Sequence, residues 1–384
     1  MYGFGQPSDS THKRRKISKS EIQIVYAHYL QKGNHSAVTG GIGTEKLTVY
    51  SPDITFSKQS DSLTRYSINA GIDIISSAST DNIDYIISSA SKVDNHTYVN
   101  FSYDRRQKNK PTTLGGGVYF SLESDYLSNG FSLHMQHSSR DQNKIISAEV
   151  EVFFDDLRWG RLSGQYPLKL VYPSELRNRA WFNIHHRNSY NLNTRFQQTI
   201  NKKTMLSFFP GVSFQHGLLS TPFHRVYFKD SSLNVENLPN KRLRIPLGIQ
   251  LNHFLANRTI VRSYYRFYWD EWGIIAHTVE LSVPIKLSAA FILSPSIRLY
   301  RQSESRYFKP YREHEKNQAY YTSDYDLSAF TSYEPGLEMK LNIAGKKPTS
   351  LLNEIALRYS YYKRSDQLSA HILTMIAGFA YYKK

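Results

Sequence analysis

Between Asp324 and Asn342 the chain reads DYDLSAFTSYEPGLEMKLN. Alternate residues place Tyr325, Leu327, Ala329, Thr331, Tyr333, Leu337, Met339 and Leu341 on one face. Asp324, Asp326, Ser328, Ser332, Glu334, Glu338, Lys340 and Asn342 fall on the other. A period of two belongs to a strand, not a helix. At roughly 3.3 Å per residue the stretch predicts one strand of about 60 Å, far longer than the about 5–6 residues usual in soluble proteins. That length suits a tilted strand that crosses about 25 Å of hydrocarbon and continues past it. Tyr325 and Tyr333 on the apolar face fit an interfacial girdle.

The alternation recurs on both sides of this stretch. Tyr66, Ile68, Ala70, Ile72 and Ile74 oppose Arg65, Ser67, Asn69, Gly71 and Asp73. Ile146, Ala148, Val150, Val152 and Phe154 oppose Ser147, Glu149 and Glu151. Read this way, the chain holds about sixteen strands (about 14–18), an even number that brings the C-terminus back to the periplasmic side. Short turns at 59–62, 141–144, 201–203, 255–258 and 345–348 alternate with long connections at 76–95, 156–187, 218–241 and 303–320. The phasing predicts an all-β fold, a transmembrane antiparallel β-barrel over residues 21–384 with short periplasmic turns and long extracellular loops. Residues 1–20 read as a flexible basic tail. Pro52, Pro210, Pro246, Pro284, Pro295 and Pro335 fall inside predicted strands, where each removes a ladder hydrogen bond. They are expected at strand ends beyond the hydrocarbon or at bulges.

Composition sets bounds on function. No window of the 384 residues approaches eighteen consecutive apolar residues, which rules out a transmembrane helix and leaves a barrel untouched. The 29 tyrosines favour strands and membrane interfaces. With no cysteine, thiol catalysis and cysteine metal sites drop out. The net charge of +16 is spread along the chain and not gathered into a patch. That argues against nucleic acid and fits outer-membrane lipids and lipopolysaccharide as surroundings. The opening MYGFGQPSDSTHKRRKISKSE lacks the apolar run of a secretory signal, so the numbering is read as that of a mature outer-membrane chain.

If the apolar faces meet lipid, the opposite faces line the interior. Arg65, Arg262, Arg266, Arg298 and Arg358 then join Glu149, Glu151 and Glu280 inside. Two readings stand: a polar pore favouring anions, or charges that pair across strands and fill the lumen. No enzyme is expected, because His185, His186, His216, His224, His253 and His277 fall in no catalytic spacing. Trp269–Trp272, WDEW, reads as an interfacial anchor with a solvated turn. No spacing calls for a metal or a cofactor.

The segments GGIGTEKLTVYSPDI (40–54), GIDIISSAST (71–80), LLSTPFHRVYF (218–228), VENLPNKRLR (235–244) and YYRFYWDEWGIIAHTVEL (264–281) resemble a bacterial family classed as a domain of unknown function. The resemblance implies an outer-membrane barrel of a kind common in Bacteroidota and proteobacteria, in an envelope redox or assembly system. It carries no site residues with it. The leading expectation is an accessory subunit of an envelope complex, with lipoproteins or other outer-membrane proteins as partners. Phe223, His224, Arg225 and Tyr227 are the candidate partner contacts in its loop. The alternative is a porin-like channel for small polar or anionic solutes.

Overall fold

The computed structural model describes residues 18–77, 94–123, 126–157, 185–221, 224–256, 258–343 and 351–383. Residues 1–17 of the expected tail, Phe223, the turn at 345–348 and most of the connections 76–95 and 156–187 lie outside them. The last three residues of that tail, Ser18 to Ser20, already belong to the first strand of the barrel.

Side chains that alternate between apolar and polar leave one face for lipid and one for water, and the chain extends accordingly. An antiparallel meander runs through β1 (Ser18–Gly33), β2 (Glu45–Gln59), β3 (Thr64–Ser77), β4 (Asp94–Arg106), β5 (Thr112–Glu123), β6 (Tyr126–Ser138), β7 (Lys144–Asp156), β8 (His186–Asn201) and β9 (Thr204–Gly217). A small hairpin, β10 (Arg225–Tyr227) and β11 (Leu233–Val235), stands apart from it. The meander resumes with β12 (Lys241–Ala256), β13 (Thr259–Asp270), β14 (Ile275–Ser282), β15 (Ile285–Lys286), β16 (Phe291–Gln302), β17 (Phe330–Asn342), β18 (Leu352–Arg364) and β19 (Ser369–Lys383). Strand β19 pairs with β1 from Ser18↔Lys383 to Lys32↔Ser369 and closes the cylinder. Since β14 and β15 share one place in the wall, the product is a closed 16-strand transmembrane β-barrel. Closure leaves no sheet edge to find an unwanted partner.

Register fixes which side each residue faces. Val150 pairs with Leu192, and both stand outward, 49% and 42% exposed. Their neighbours Glu151 and Asn191 pair on the inside. Ile68, Phe101, Val118 and Phe131 continue the outer band around the wall. An apolar belt of this extent belongs in hydrocarbon, not in water.

The packed core sits at one end. Val226, Phe228, Val235, Leu238, Trp272, Phe308 and Tyr321 are buried, and all lie at the rim from which 218–240 and 303–329 project. These connections, together with 34–44, form a cap.

Three expectations are corrected. The stretch from Asp324 is not one strand: β17 begins at Phe330, and Tyr325–Leu327 form a 3-10 turn in the cap. Asp324 Oδ1 caps that turn by accepting the Asp326 N–H at 2.9 Å, and Tyr325 stacks on His35 with ring centres 3.7 Å apart. A polar–apolar alternation over six residues is therefore met by a turn that tertiary contacts hold. Tyr333, Leu337, Met339 and Leu341 do face outward.

Pro52, Pro210, Pro246, Pro295 and Pro335 sit inside strands and neither at their ends nor at register slips. Around Pro52 the β2–β3 pairing passes from Tyr50↔Ile74 to Asp53↔Gly71, and around Pro335 the β17–β18 pairing passes from Tyr333↔Lys363 to Gly336↔Ser360. Register is unchanged on either side in both cases, because each strand has a second neighbour that holds it. Near Pro210 the gap in the β8–β9 ladder is bridged by Thr194, whose hydroxyl donates to the Pro210 carbonyl at 2.9 Å. Only Pro284 interrupts a strand, between β14 and β15.

The WDEW turn is solvated only in part, at the exposed Glu271. Asp270 is fully buried and Trp272 nearly so. Asp270 accepts from Arg242 Nε at 3.0 Å, from the Tyr268 hydroxyl at 2.9 Å and from the Ile274 N–H at 3.0 Å. The Arg242 guanidinium lies 4.2 Å from the centre of the Trp272 ring system.

Candidate functional site

Two places gather chemistry: the inner wall over β12–β18, and the cap above it. On the wall, the inward phase of each strand brings residues distant in sequence side by side. Arg262 on β13, Glu280 on β14, Arg298 on β16, Glu334 and Glu338 on β17 and Arg358 on β18 line one cavity of about 510 Å³. Glu280 stands opposite Arg298 in the β14–β16 register. Arg298 lies 3.8 Å from Glu334, and Arg358 Nε donates to Glu338 at 2.9 Å. Small residues at Ser282, Ser294, Ser296 and Gly336 keep the space in front of these charges open.

Nearer the cap, Tyr29, Arg266, Tyr268, Tyr300, Tyr362 and Arg364 line a second cavity of about 550 Å³, with Asp326 reaching in from loop 303–329. Arg364 is nearly buried, with its guanidinium 3.8 Å from the Phe330 ring centre and a hydrogen bond of 2.8 Å to the Tyr325 carbonyl. It thereby ties the loop to the wall.

The far wall carries a group of acids, with Arg65 of β3, opposite Asp104, and Arg195 of β8, opposite Ser147, among them. Asp53, Asp73, Asp104, Glu149 and Glu151 occupy inward positions on β2, β3, β4 and β7. Asp53 accepts from Tyr98 at 2.9 Å, Asp104 bonds His134, and Glu151 accepts from Asn193 at 3.1 Å.

The structure thus gathers Arg262, Arg298, Arg358 and Glu280 into one cluster and sets Arg266 one tier closer to the cap. Glu149 and Glu151 lie on the facing wall. Arg65 is separate, lining a third cavity of about 290 Å³ at the short-turn end, 3.9 Å from Glu21. Sequence reading missed Arg364 and the tyrosine tier. The alternation in β18 could have flagged the inward phase of Tyr362 and Arg364, but not their meeting with Asp326.

The cap is woven from three connections. Asn237 and Tyr321 exchange backbone hydrogen bonds of 3.1 and 2.8 Å, joining 218–240 to 303–329. Gly40 and Gly41 take left-handed φ of 80° and 86°, and a Cβ on either would strike Tyr227 or the Ser323 carbonyl, so 34–44 comes in close. Tyr227 packs on Tyr311 with ring centres 5.0 Å apart, and Arg225 pairs with Val235 in the β10–β11 hairpin.

At the seam His224 Nδ1 lies 3.6 Å from Glu236 and 3.5 Å from Asp324. Burial opposes charge on the His224 ring, yet Glu236 and Asp324 outweigh it and hold its pKa up at about 9. Burial pushes the Asp324 carboxyl above its ordinary value, with His224 pulling the other way. No sequence spacing announces this trio, which is assembled by the contact between two loops.

Among solved structures the chain is similar to OpdK of Pseudomonas aeruginosa with vanillate, at 6% identity and TM-score 0.44 over 95% of this chain and 99% of that one. It is also similar to a BenF-like porin from Pseudomonas fluorescens Pf-5, at 7% identity and TM-score 0.46 over 94% and 99%. A bacterial polysaccharide outer membrane secretin gives 10% identity and TM-score 0.48 over 94% and 98%. No curated protein matches the chain. The family model described as protein of unknown function (DUF3570) matches residues 5–378, and the chain belongs to that family.

Proposed function

We propose that the protein is an outer-membrane channel for small polar solutes with a preference for anions. The supporting observation is the row of arginines, Arg262, Arg266, Arg298 and Arg358, on the inner wall across from Asp53, Asp73, Glu149 and Glu151. A barrel of sixteen strands is wide enough for an aqueous lumen. Opposed rows of charge set up a transverse field in which a polar solute exchanges hydration for wall contacts while it passes. Partial pairing with Glu280, Glu334 and Glu338 tempers the arginines, which favours passage over capture.

His224 and Tyr227 are engaged inside the cap, and this supports a channel over a loop built to seize an envelope partner. Conductance in planar bilayers tests the reading. Steady conductance with anion preference is expected, and Arg262→Glu with Arg266→Glu should shift it toward cations. A barrel that inserts, folds and stays silent would overturn it and return attention to an accessory role.

A further inference from the structure

We propose that His224, Glu236 and Asp324 form a binding site for a divalent transition-metal cation of the zinc type, which clamps hairpin β10–β11 to loop 303–329. The site lies in the cap and stands whether or not the lumen carries solute.

The donor set is one imidazole nitrogen and two carboxylates, and the candidate ligand atoms all lie within 4.8 Å of one another. An imidazole with two carboxylates suits zinc and its neighbours more than calcium or magnesium. The spacings carry the inference. His224 Nδ1 is enclosed and has no hydrogen-bond partner, although two carboxylate oxygens stand 3.5 and 3.6 Å away. A hydrogen bond would close those gaps to about 2.7–3.2 Å. Ligands on one tetrahedral ion with bonds of about 2.0–2.1 Å sit about 3.3–3.4 Å apart, near the two separations of His224 from the carboxylates.

The surrounding contacts hold the carboxylates in place. Glu236 Oε2 accepts the Thr221 N–H at 2.6 Å and Oε1 accepts the Thr322 hydroxyl at 2.6 Å. Asp324 receives the Asp326 N–H on Oδ1 and directs Oδ2 toward His224. Thr322 also accepts the Asp324 N–H at 3.0 Å, so one side chain positions both acids. Such outer contacts are a usual part of metal sites. The His224 and Asp324 side chains are each about one-fifth exposed, which leaves an entry path and room for a water as fourth ligand. In the metal-free seam the His224 proton offsets part of the carboxylate charge. An ion that binds displaces that proton, and the divalent charge then balances the two carboxylates around a neutral imidazole.

The test uses the folded full-length protein in detergent, stripped with chelator and titrated with Zn²⁺. One equivalent should bind, and protease protection of 218–240 and 303–329 should rise with occupancy and fall again on chelation. His224→Gln and Asp324→Asn should each weaken binding at least about tenfold, while the folded barrel keeps its mobility on unheated gels. Co²⁺ in the unaltered protein should give the intense visible bands of a tetrahedral site, a readout that needs no variant. A chelated cap as protected as the loaded one, or Zn²⁺ binding that His224→Gln leaves unchanged, would overturn the proposal.

Discussion

Val150 and Leu192 in the barrel wall stand with nearly half their surface uncovered, whereas Val226 and Val235 in the cap have none. The same kind of side chain takes opposite environments within one chain. In the wall, lipid replaces a protein core, so the apolar face needs no second layer and the polar face can surround water. In the cap, both sides meet water, and the chain must build its own interior from Val226, Phe228 and Tyr321. The wall is held by ladder hydrogen bonds in a closed register, and the cap by contacts between loops far apart in sequence. Damage to one region should therefore be read out separately from damage to the other.

The largest expected effect is in the cap. Phe228 is buried against Tyr321 and His314, and Phe228→Ala should lower local cap stability by about 3–5 kcal/mol. Limited proteolysis should then cut 218–240 and 303–329, while the barrel stays heat-modifiable on gels. Simultaneous loss of both signals would show that wall and cap fold as one unit.

Next comes a pair of substitutions on neighbouring strands, one on each face. Val150→Arg puts a charge into the outer band in the middle of β7 and should cost about 2–4 kcal/mol in urea titrations from lipid vesicles. Asn191→Arg faces inward beside Glu151 and should change stability by less than about 1 kcal/mol. Equal costs would mean the facing is misassigned. Leu281 sits on the same outer band, but Leu327 does not, since it belongs to the 3-10 turn.

The smallest effect on stability is expected in the lumen. The Arg358 and Glu338 pair is partly exposed, and Arg358→Gln should move the unfolding midpoint by no more than about 1 kcal/mol equivalent. Its effect should appear instead as a reduced anion preference in reversal-potential measurements. A large stability loss would assign the charges to wall packing and weaken the channel reading.

Much of the wall is legible in the amino-acid sequence. Strand number, the phase of short and long connections and the inward set Arg262, Arg266, Arg298, Arg358, Glu149, Glu151 and Glu280 all follow from period two, because a strand's faces are fixed by parity alone. Parity does not say which inward residues are neighbours. Arg298 meets Glu334 only because β16 and β17 pair in one register, and Glu149 faces away from that cluster because β7 lies on the far side of the cylinder. Asp324 to Ala329 shows where the rule fails: alternation there satisfied a strand template, but an Asp cap, His35 and Arg364 fixed a turn.

Local alternation and turn length are enough to specify a barrel, its facing and the sidedness of its loops, and all of these can be read along the chain. The cap is a product of tertiary contact. Its trio of His224, Glu236 and Asp324 comes from two loops separated by strands β12 to β16, and nothing periodic encodes a contact made when a cylinder closes and brings its loops over one mouth.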